Sequence, residues 1–427
     1  MALLEIQNTL THLDIDLQKN RNLITIAEIL STCKNLTDLS YITKATFSTH
    51  VGDVIGSPKH QYLVNLELRC NKLMYGQDIE PILRQCQSLR RIAMDGCDDS
   101  TIDLLAQSTI ATNLEIIGIN VLKTDIPKLQ RKGEGKQGLR VLKIVQNVPT
   151  DSSSVSKILR LVYKHRITLG TLHIEVTSIT QEEFDQFCVI YPGFNLINIE
   201  TLILFAGNST IEELILQLVC DSKKLKTMEL DSIYNMNRLT SHLINMPPLS
   251  RLSIEWWPSN NNNTSDNNTS VDDRGLIQLF KKYTQLSMTS ALSLRSISLS
   301  DCREASDNVL SILAQVKTLQ EITLKSLSNI TETGIMEFFK KINSQQLTYV
   351  CLHYLPLVTD TTLTILTWHD NLSYIWLDGL ESITDQGLRN LIDSPPPSLA
   401  KLDVGRCFQI SSESFTKKKG TCCVTIW

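Results

Sequence analysis

The sequence has little excess of either charge and few aromatic residues. Its 41 Lys and Arg residues stand against 45 Asp and Glu residues, and Phe, Trp and Tyr together make up 6% of the chain. A net charge of -4 provides no global attraction to nucleic acid or to an anionic membrane. The composition therefore predicts neither a nucleic-acid partner nor a membrane partner.

Long apolar runs and targeting signals are missing as well. No apolar stretch approaches the ~20 residues that a membrane-spanning helix needs. Residues 1–6 lack the basic region and the small-residue cleavage site of a signal peptide. We therefore expect a cytoplasmic location, a nuclear location, or both.

The spacing of the eleven cysteines excludes the familiar zinc motifs, because the sequence contains no CxxC pair and no HxxxH pair. We predict no metal and no cofactor, and we interpret the cysteines as reduced residues with a structural role. A nucleophile elbow, a pair of catalytic carboxylates and a nucleotide-binding loop are also missing. The sequence thus predicts that the chain is not an enzyme.

The chain is rich in one six-residue pattern, LxxLxL, which recurs along nearly its whole length. Clear copies begin at Leu63, Leu89, Leu319, Leu347 and Leu372. Side chains alternate along a strand, so the three apolar residues point inward and the residues between them point outward. Each parallel strand needs a crossover to the next, and apolar residues at i, i+3 and i+4 predict a helix there. This period predicts an α/β leucine-rich-repeat solenoid (a horseshoe), with a parallel β-sheet on the concave face and helices on the convex face.

The repeats predict a single domain with one insert. The unbroken period favours one solenoid of about 15–16 repeats over residues 1–427. Residues 258–273 are rich in Asn, Ser and Thr and too polar to bury a core, so we predict that this insert is disordered. A tolerated expansion and a gate over the concave face are both compatible with it.

Short polar motifs mark the starts of several helices. Thr384 is a predicted N-cap, and Asp385 adds negative charge where the helix dipole favours it. Thr359 and Thr331, each followed by an acid, repeat this chemistry. Residues 180–183 form a predicted capping box.

Outward positions of the strands define a predicted binding surface. In the N-terminal repeats these positions are polar, which predicts a mixed polar surface of Asn65, Glu67, Arg69, Arg91 and Asp95. The C-terminal repeats concentrate large aromatics near an arginine, the residue types that dominate binding energy at protein interfaces. The predicted protein-binding patch on the concave face comprises Tyr349, His353, Tyr374, Trp376, Asp378, Asp403, Arg406 and Trp427. Exposed aromatics and histidines are also common without any function, and this stays the alternative.

Residues 377–388, LDGLESITDQGL, resemble the cysteine-containing leucine-rich repeat, whose consensus is close to LxLxxCxxITDxGL. Its cysteine form appears as LRRIAMDGC at residues 89–97, LRSISLSDC at 294–302 and LAKLDVGRC at 399–407. This repeat is typical of F-box/leucine-rich-repeat proteins and of ribonuclease-inhibitor-like relatives. The resemblance covers nearly the whole chain.

The resemblance implies a protein-binding function. In that family the repeats capture a substrate, while an N-terminal F-box docks on the adaptor of an SCF (cullin-RING) ubiquitin ligase. No F-box segment is visible ahead of Leu10, so the resemblance implies recognition of a protein partner, such as a ubiquitination substrate, and makes binding of the cullin adaptor doubtful. The predicted function is a protein-interaction module, a substrate-recognition or regulatory subunit in SCF-dependent protein catabolism. The alternative is a leucine-rich-repeat scaffold or regulator with no link to ubiquitination.

Overall fold

A computed structural model describes most of the chain as two compact units, Met1–Lys224 and Leu225–Trp427. The described residues are 9–17, 24–44, 59–70, 73–107, 112–120, 127–129, 138–145, 152–176, 179–206, 208–233, 235–256, 272–289, 293–343, 345–411 and 423–426. In this part of the chain, no helix is both long enough and apolar enough to span a membrane.

Among its described residues, the first unit contains eight parallel strands that pair in chain order. They are β1 His12–Asp16, β2 Asp38–Thr43, β3 Asn65–Cys70, β4 Arg91–Met94, β5 Ile116–Ile119, β6 Val141–Ile144, β7 Thr171–Val176 and β8 Thr201–Ala206. The helices of this unit are α1 Ile26–Thr32, α2 Gly76–Gln85, α3 Asp99–Gln107, α4 Ser152–Lys164, α5 Gln181–Ile190 and α6 Ser209–Val219. The register aligns the buried anchors, so that Leu39 pairs with Leu66 and Leu66 with Ile92.

The second unit repeats this arrangement. Its parallel strands are β9 Thr227–Ile233, β10 Arg251–Trp256, β11 Ser296–Ser300, β12 Glu321–Lys325, β13 Tyr349–His353, β14 Tyr374–Asp378, β15 Lys401–Gly405 and β16 Cys423–Ile426. Its helices are α7 Met236–Asn245, α8 Arg274–Thr289, α9 Asp307–Leu313, α10 Glu332–Lys341, α11 Asp360–Leu366 and α12 Asp385–Asp393.

The core of each unit lies between its strands and its helices. The anchors Ile322 and Leu324 of β12 are fully buried, as are Phe338 and Leu363 from the helices α10 and α11. Burying such a side chain contributes about 1.5–3 kcal/mol to stability. The alternation of strand and helix around this core confirms the predicted α/β leucine-rich-repeat solenoid.

Acidic side chains link the start of one helix to the start of the next in the second unit. Thr384 caps α12 as predicted, because its side chain accepts hydrogen bonds from the first turn. The Thr384 N–H and hydroxyl both donate to Asp360, the first residue of α11, at 2.8 and 2.6 Å. The same pairing joins Asp307 to Thr331 and Asp385 to Ser411. The threonine–acid motif therefore connects repeats as well as capping helices.

Gly387 leaves space for this connection. A Cβ atom on Gly387 would overlap the carboxylate of Asp360, and one on Gly334 would overlap the carboxylate of Asp307. The third residue of these helices must therefore lack a side chain, because an acid from the preceding repeat fills that volume. This packing explains why glycine stands in the ITDQGL sequence.

One sequence prediction about the first unit was wrong. Asn65, Glu67 and Arg91 occupy outward strand positions as predicted, but their exposed fractions are only 2%, 2% and 1%. Residues 127–129 of the same unit lie against this face, where the backbone of Leu129 is hydrogen-bonded to Asn65. The predicted open polar surface is therefore not open at these three positions.

The predicted disordered insert at 258–273 lies outside the described residues, except for Asp272 and Asp273. These two acids precede α8. Asp273 accepts a hydrogen bond from the Ser306 hydroxyl at 2.5 Å, and Asp272 pairs with Arg274 at 2.8 Å. The end of the insert therefore belongs to the ordered start of α8.

Candidate functional site

The structure brings seven of the eight predicted patch residues together on β13, β14, β15 and the turn after β15. They are Tyr349, His353, Tyr374, Trp376, Asp378, Asp403 and Arg406, and we call them the strand-face patch. Parallel register aligns them in rows across the strands: Tyr349 lies beside Tyr374, His353 beside Asp378, and Trp376 beside Asp403. The eighth residue, Trp427, lies outside the described part of the chain.

Two tyrosines and a lysine form one edge of the strand-face patch. The rings of Tyr349 and Tyr374 meet edge to face, with centroids 5.1 Å apart. Lys401 Nζ lies 4.5 Å from the Tyr374 ring centroid and 2.6 Å from Asp403. The Tyr374 hydroxyl donates to Asp403 Oδ2 at 2.6 Å. These contacts fix the position of the Tyr374 ring at both its face and its hydroxyl.

Asp403 is the buried support of this edge, with only 8% of its surface exposed. Burial alone would raise its pKa, but the hydrogen bonds from Lys401 and Tyr374 lower the pKa below the usual value. Burial, and then the hydrogen bond to Asp403, raises the pKa of Tyr374. At neutral pH the edge therefore consists of a carboxylate, a phenol and an ammonium group.

Asp378 supports the opposite edge and is fully buried. Arg406 Nε donates to Asp378 Oδ1 at 2.9 Å, and its Nη2 donates to the second carboxylate oxygen. His353 Nε2 contacts the same carboxylate and lies 3.1 Å from Arg406 Nη2. The bond to Asp378 raises the pKa of Arg406, whereas burial lowers the pKa of His353. At neutral pH Arg406 is therefore charged and His353 is neutral.

Tyr354 belongs to this edge, although the sequence did not predict it. Tyr354 and Arg406 each follow a strand and both have a backbone φ of 48°, a left-handed conformation that disfavours bulky residues. Between them stands Gly379, where a Cβ atom would overlap the Tyr354 ring. This gap lets Tyr354 stack on His353 at 4.4 Å and lets the Arg406 guanidinium lie 5.0 Å from the Tyr354 ring. An earlier repeat has Asp301 at the turn position that Tyr354 occupies here. A bulky residue at this position was the sequence signal for the role of Tyr354.

Trp376 occupies the middle of the strand-face patch and is partly buried. Its ring lies 6.2 Å from that of His353 at an interplanar angle of 23°. The indole Nε1 is buried and has no hydrogen-bond partner among the described residues. A buried donor without a partner costs free energy, and because this atom is closed to solvent, an acceptor from outside reaches it only if the Trp376 ring moves.

The strand-face patch also places Cys351 near His353 and Asp378, which raises the question of nucleophilic catalysis. Cys351 is buried, and burial raises the pKa of its thiol to about 11. His353 Nε2 already contacts Asp378 and Arg406. A nucleophilic cysteine needs a lowered pKa and a base within reach, so this arrangement favours binding over catalysis. Within the described ranges, no group of three His, Cys, Asp or Glu side chains is placed to hold a metal ion.

A small apolar cavity opens beside Tyr354. Its volume is about 260 Å³, and its lining includes Leu327, Ile330, Ile335, Leu355 and Leu357. Leu357 at its rim is 51% exposed. The cavity is large enough for one aliphatic or aromatic side chain of a partner.

The charges of the strand-face patch and of the adjoining Lys401 cancel. The cations Arg406 and Lys401 are each paired with a largely buried carboxylate, Asp378 and Asp403 respectively. Nucleic-acid binding depends on unpaired positive charge that neutralises phosphates. A neutral, aromatic surface with paired charges fits a protein partner better.

Comparisons with known proteins identify distant structural neighbours. No protein-family model and no curated protein matches the sequence. A chain of the yeast Rad7–Elc1 complex is 16% identical, with a TM-score of 0.48, covering 96% of this chain and 85% of the other. TLR13 in complex with ssRNA13 is 12% identical, with a TM-score of 0.47 and coverages of 93% and 54%. An internalin from Listeria monocytogenes is 12% identical, with a TM-score of 0.35 and coverages of 82% and 82%. Likeness at this level says nothing about function, and the predicted F-box/leucine-rich-repeat subtype stays a prediction.

Proposed function

We propose that the chain is a protein-interaction module and that the strand-face patch binds its protein partner. The observation that carries this proposal is the rigid support of the outward side chains. Buried Asp403 holds Tyr374 and Lys401, and buried Asp378 holds Arg406. Side chains that are ordered before association lose less conformational entropy on binding, and aromatics with arginine supply most of the binding energy at interfaces.

One feature defines what the partner presents. It is an apolar side chain that fills the cavity of about 260 Å³ beside Tyr354. Burying an anchor side chain in such a pocket is typical of interface hot spots.

We further propose that the module serves as a substrate-recognition or regulatory subunit of the SCF ubiquitin-ligase type. The support for this is the cysteine-containing repeat that the sequence resembles. A leucine-rich-repeat scaffold without a ubiquitin link uses the same surface. The two functions differ in whether a cullin adaptor accompanies the chain.

The test is an affinity purification from native cells, followed by quantitative mass spectrometry. It compares the wild type with a Tyr374→Ala/Trp376→Ala variant and with Trp368→Ala. Trp368 is the matched control, because it is 57% exposed and lies after α11 rather than on a strand. We expect a partner that Trp368→Ala retains and that the double variant loses by about tenfold or more.

Each outcome has a definite meaning. A partner set that is unchanged by Tyr374→Ala/Trp376→Ala contradicts the strand-face patch as the binding surface. A cullin adaptor recovered with all three forms supports the ubiquitin-ligase function. Specific loss of the partner with no adaptor in any sample supports the scaffold.

A further inference from the structure

The first unit holds one of its own segments against its outward strand face. Asn65 Nδ2 donates to the Leu129 carbonyl oxygen at 2.8 Å, and the Leu129 N–H donates to Asn65 Oδ1 at 3.0 Å. An asparagine side chain carries one acceptor and a donor group, as a peptide unit does. Asn65 therefore binds the backbone of Leu129 as a neighbouring strand would.

A second hydrogen bond fixes the orientation of the Asn65 side-chain amide. Its Nδ2 also donates to Asp38 Oδ1 on the neighbouring strand β2, at 2.9 Å. Since Asp38 accepts from the nitrogen, Oδ1 of Asn65 is left to receive a backbone N–H. The Asn65 amide, fixed in this way, can bind an extended backbone whatever side chain that backbone carries.

The side chain of Leu129 enters an apolar site on the same face. Ala93 on β4 and Ile116 on β5 occupy outward positions, and Leu129 packs against this pair, as do Val141 on β6 and Val145. We call Ala93, Ile116, Val141 and Val145 the leucine socket. Outward positions on an exposed strand face are usually polar, so an apolar socket there indicates that something covers it.

The preceding residue, Lys128, reaches a different environment. It lines a cavity of about 240 Å³ above β1–β4, whose other lining residues include Asp14, Asp38, Glu67 and Arg91. The three carboxylates stand against Arg91 and against Arg69, which pairs with Glu67 at 2.7 Å, so one further basic side chain at this position balances the charge. The face thus combines a backbone-binding amide, an apolar socket and an acidic cavity beside it.

We infer that this face is a docking groove for an extended peptide of a partner protein in which a basic residue precedes a leucine. Lys128 and Leu129 occupy the groove as an intramolecular stand-in. A tethered occupant competes at an effective concentration in the millimolar range, so a partner binds well only when this segment leaves. The inference concerns the first unit and does not depend on the function proposed for the strand-face patch.

A peptide-binding experiment on the full chain tests the inference. The probe is a fluorescein-labelled peptide with the sequence of residues 124–131, TDIPKLQR. Its binding is measured by fluorescence anisotropy to the wild type, to Leu129→Ala and to Asn65→Ala/Leu129→Ala. We expect Leu129→Ala to bind the probe about tenfold more tightly than the wild type, because its own segment no longer fills the socket. Adding Asn65→Ala to Leu129→Ala should remove that gain in affinity.

A matched peptide separates the socket from general affinity. The same peptide with alanine in place of leucine should bind Leu129→Ala no better than it binds the wild type. Equal binding of the TDIPKLQR probe to folded Leu129→Ala and to the wild type overturns the inference.

Hydrogen exchange of the wild type keeps the inference testable if Leu129→Ala does not fold. A segment that leaves the groove opens locally, so the Leu129 amide should exchange well before the amide of Leu66 in the core strand β3. Exchange of Leu129 as slow as that of Leu66 identifies residues 127–129 as a permanent part of the core and overturns the docking groove.

Discussion

Asp360 accepts two hydrogen bonds from Thr384, one from its backbone N–H at 2.8 Å and one from its hydroxyl at 2.6 Å. The two residues lie at the starts of neighbouring helices, so the contact couples the stability of one repeat to that of the next. The carboxylate also fills the space that a side chain on residue 387 would need. Asp360, Thr384 and Gly387 therefore act as one structural element, and substitutions within it should not be additive.

Gly387→Ala should destabilise the second unit by about 1–3 kcal/mol, because the new methyl group overlaps the Asp360 carboxylate. Asp360→Ala should cost about 1.5–3 kcal/mol through the loss of its charged hydrogen bonds. The double variant should be less destabilised than the sum, since alanine at 387 fits once the carboxylate is gone. Urea unfolding followed by tryptophan fluorescence measures this, because all five tryptophans belong to residues 225–427.

The control for this cycle is Gln386→Ala, an exposed change in the same turn that should shift stability by less than about 0.5 kcal/mol. If the losses of stability from Gly387→Ala and Asp360→Ala were strictly additive, the space left by Gly387 would not be needed by the Asp360 carboxylate.

His165 should make the first unit less stable in acid. Burial, and then the charge of Lys164, lowers its pKa to about 4 in the folded chain, whereas an unfolded histidine titrates near ~6.5. The unfolded state takes up its proton first, so this contribution to stability is complete above pH ~6.5 and is lost as the pH falls toward 4. The slope is at most about 1.4 kcal/mol per pH unit for this one group.

The measurement for His165 is a series of urea unfolding curves between pH 7 and pH 4.5, followed by far-UV circular dichroism. His165→Gln should show a smaller loss of stability across this range than the wild type. Parallel pH profiles for the two proteins would show that His165 does not carry the effect. His60, whose pKa burial also lowers, should contribute in the same direction.

Cysteine reactivity should follow burial. Cys188 and Cys220 are exposed, whereas Cys86 and Cys302 are buried in the repeats. Burial raises the pKa of Cys86 to about 12, so its reactive thiolate form is scarce at neutral pH. Iodoacetamide with mass spectrometry should label Cys188 and Cys220 in the native chain, and Cys86 and Cys302 only after unfolding. Native labelling of Cys302 at the rate of Cys188 would contradict the buried assignment.

The features that could be predicted from the sequence are those encoded by neighbouring residues. The inward anchors follow from alternation along a strand, and the predicted capping box is confirmed, with mutual hydrogen bonds between Thr180 and Glu183. The burial of Asn65 could not be predicted in this way, because Leu129 lies 64 residues further along the chain. Apolar residues at outward positions, such as Ile116, were the available sign that this face is covered. Tyr354 was missed because its role depends on a gap at Gly379 in the next repeat.

Arg406 should stabilise the strand-face patch through Asp378. Asp378 is fully buried, and Arg406 contacts both of its carboxylate oxygens. Arg406→Gln leaves a buried charge without its guanidinium partner, and removing one member of a buried pair is destabilising. We therefore expect Arg406→Gln to unfold at a lower urea concentration than the wild type, by less than a fully buried pair would imply, because 49% of the Arg406 side chain is accessible. Tryptophan fluorescence during urea unfolding measures it.

Two further variants identify the cause of that loss. Arg406→Lys keeps the charge but cannot make both hydrogen bonds in the planar geometry of a guanidinium, so it should restore less than half of the stability. Asp378→Asn/Arg406→Gln removes the buried charge that has lost its arginine and should be more stable than Arg406→Gln alone. If Arg406→Gln unfolds at the same urea concentration as the wild type, the arginine does not support the fold, and its contribution would lie in partner binding alone.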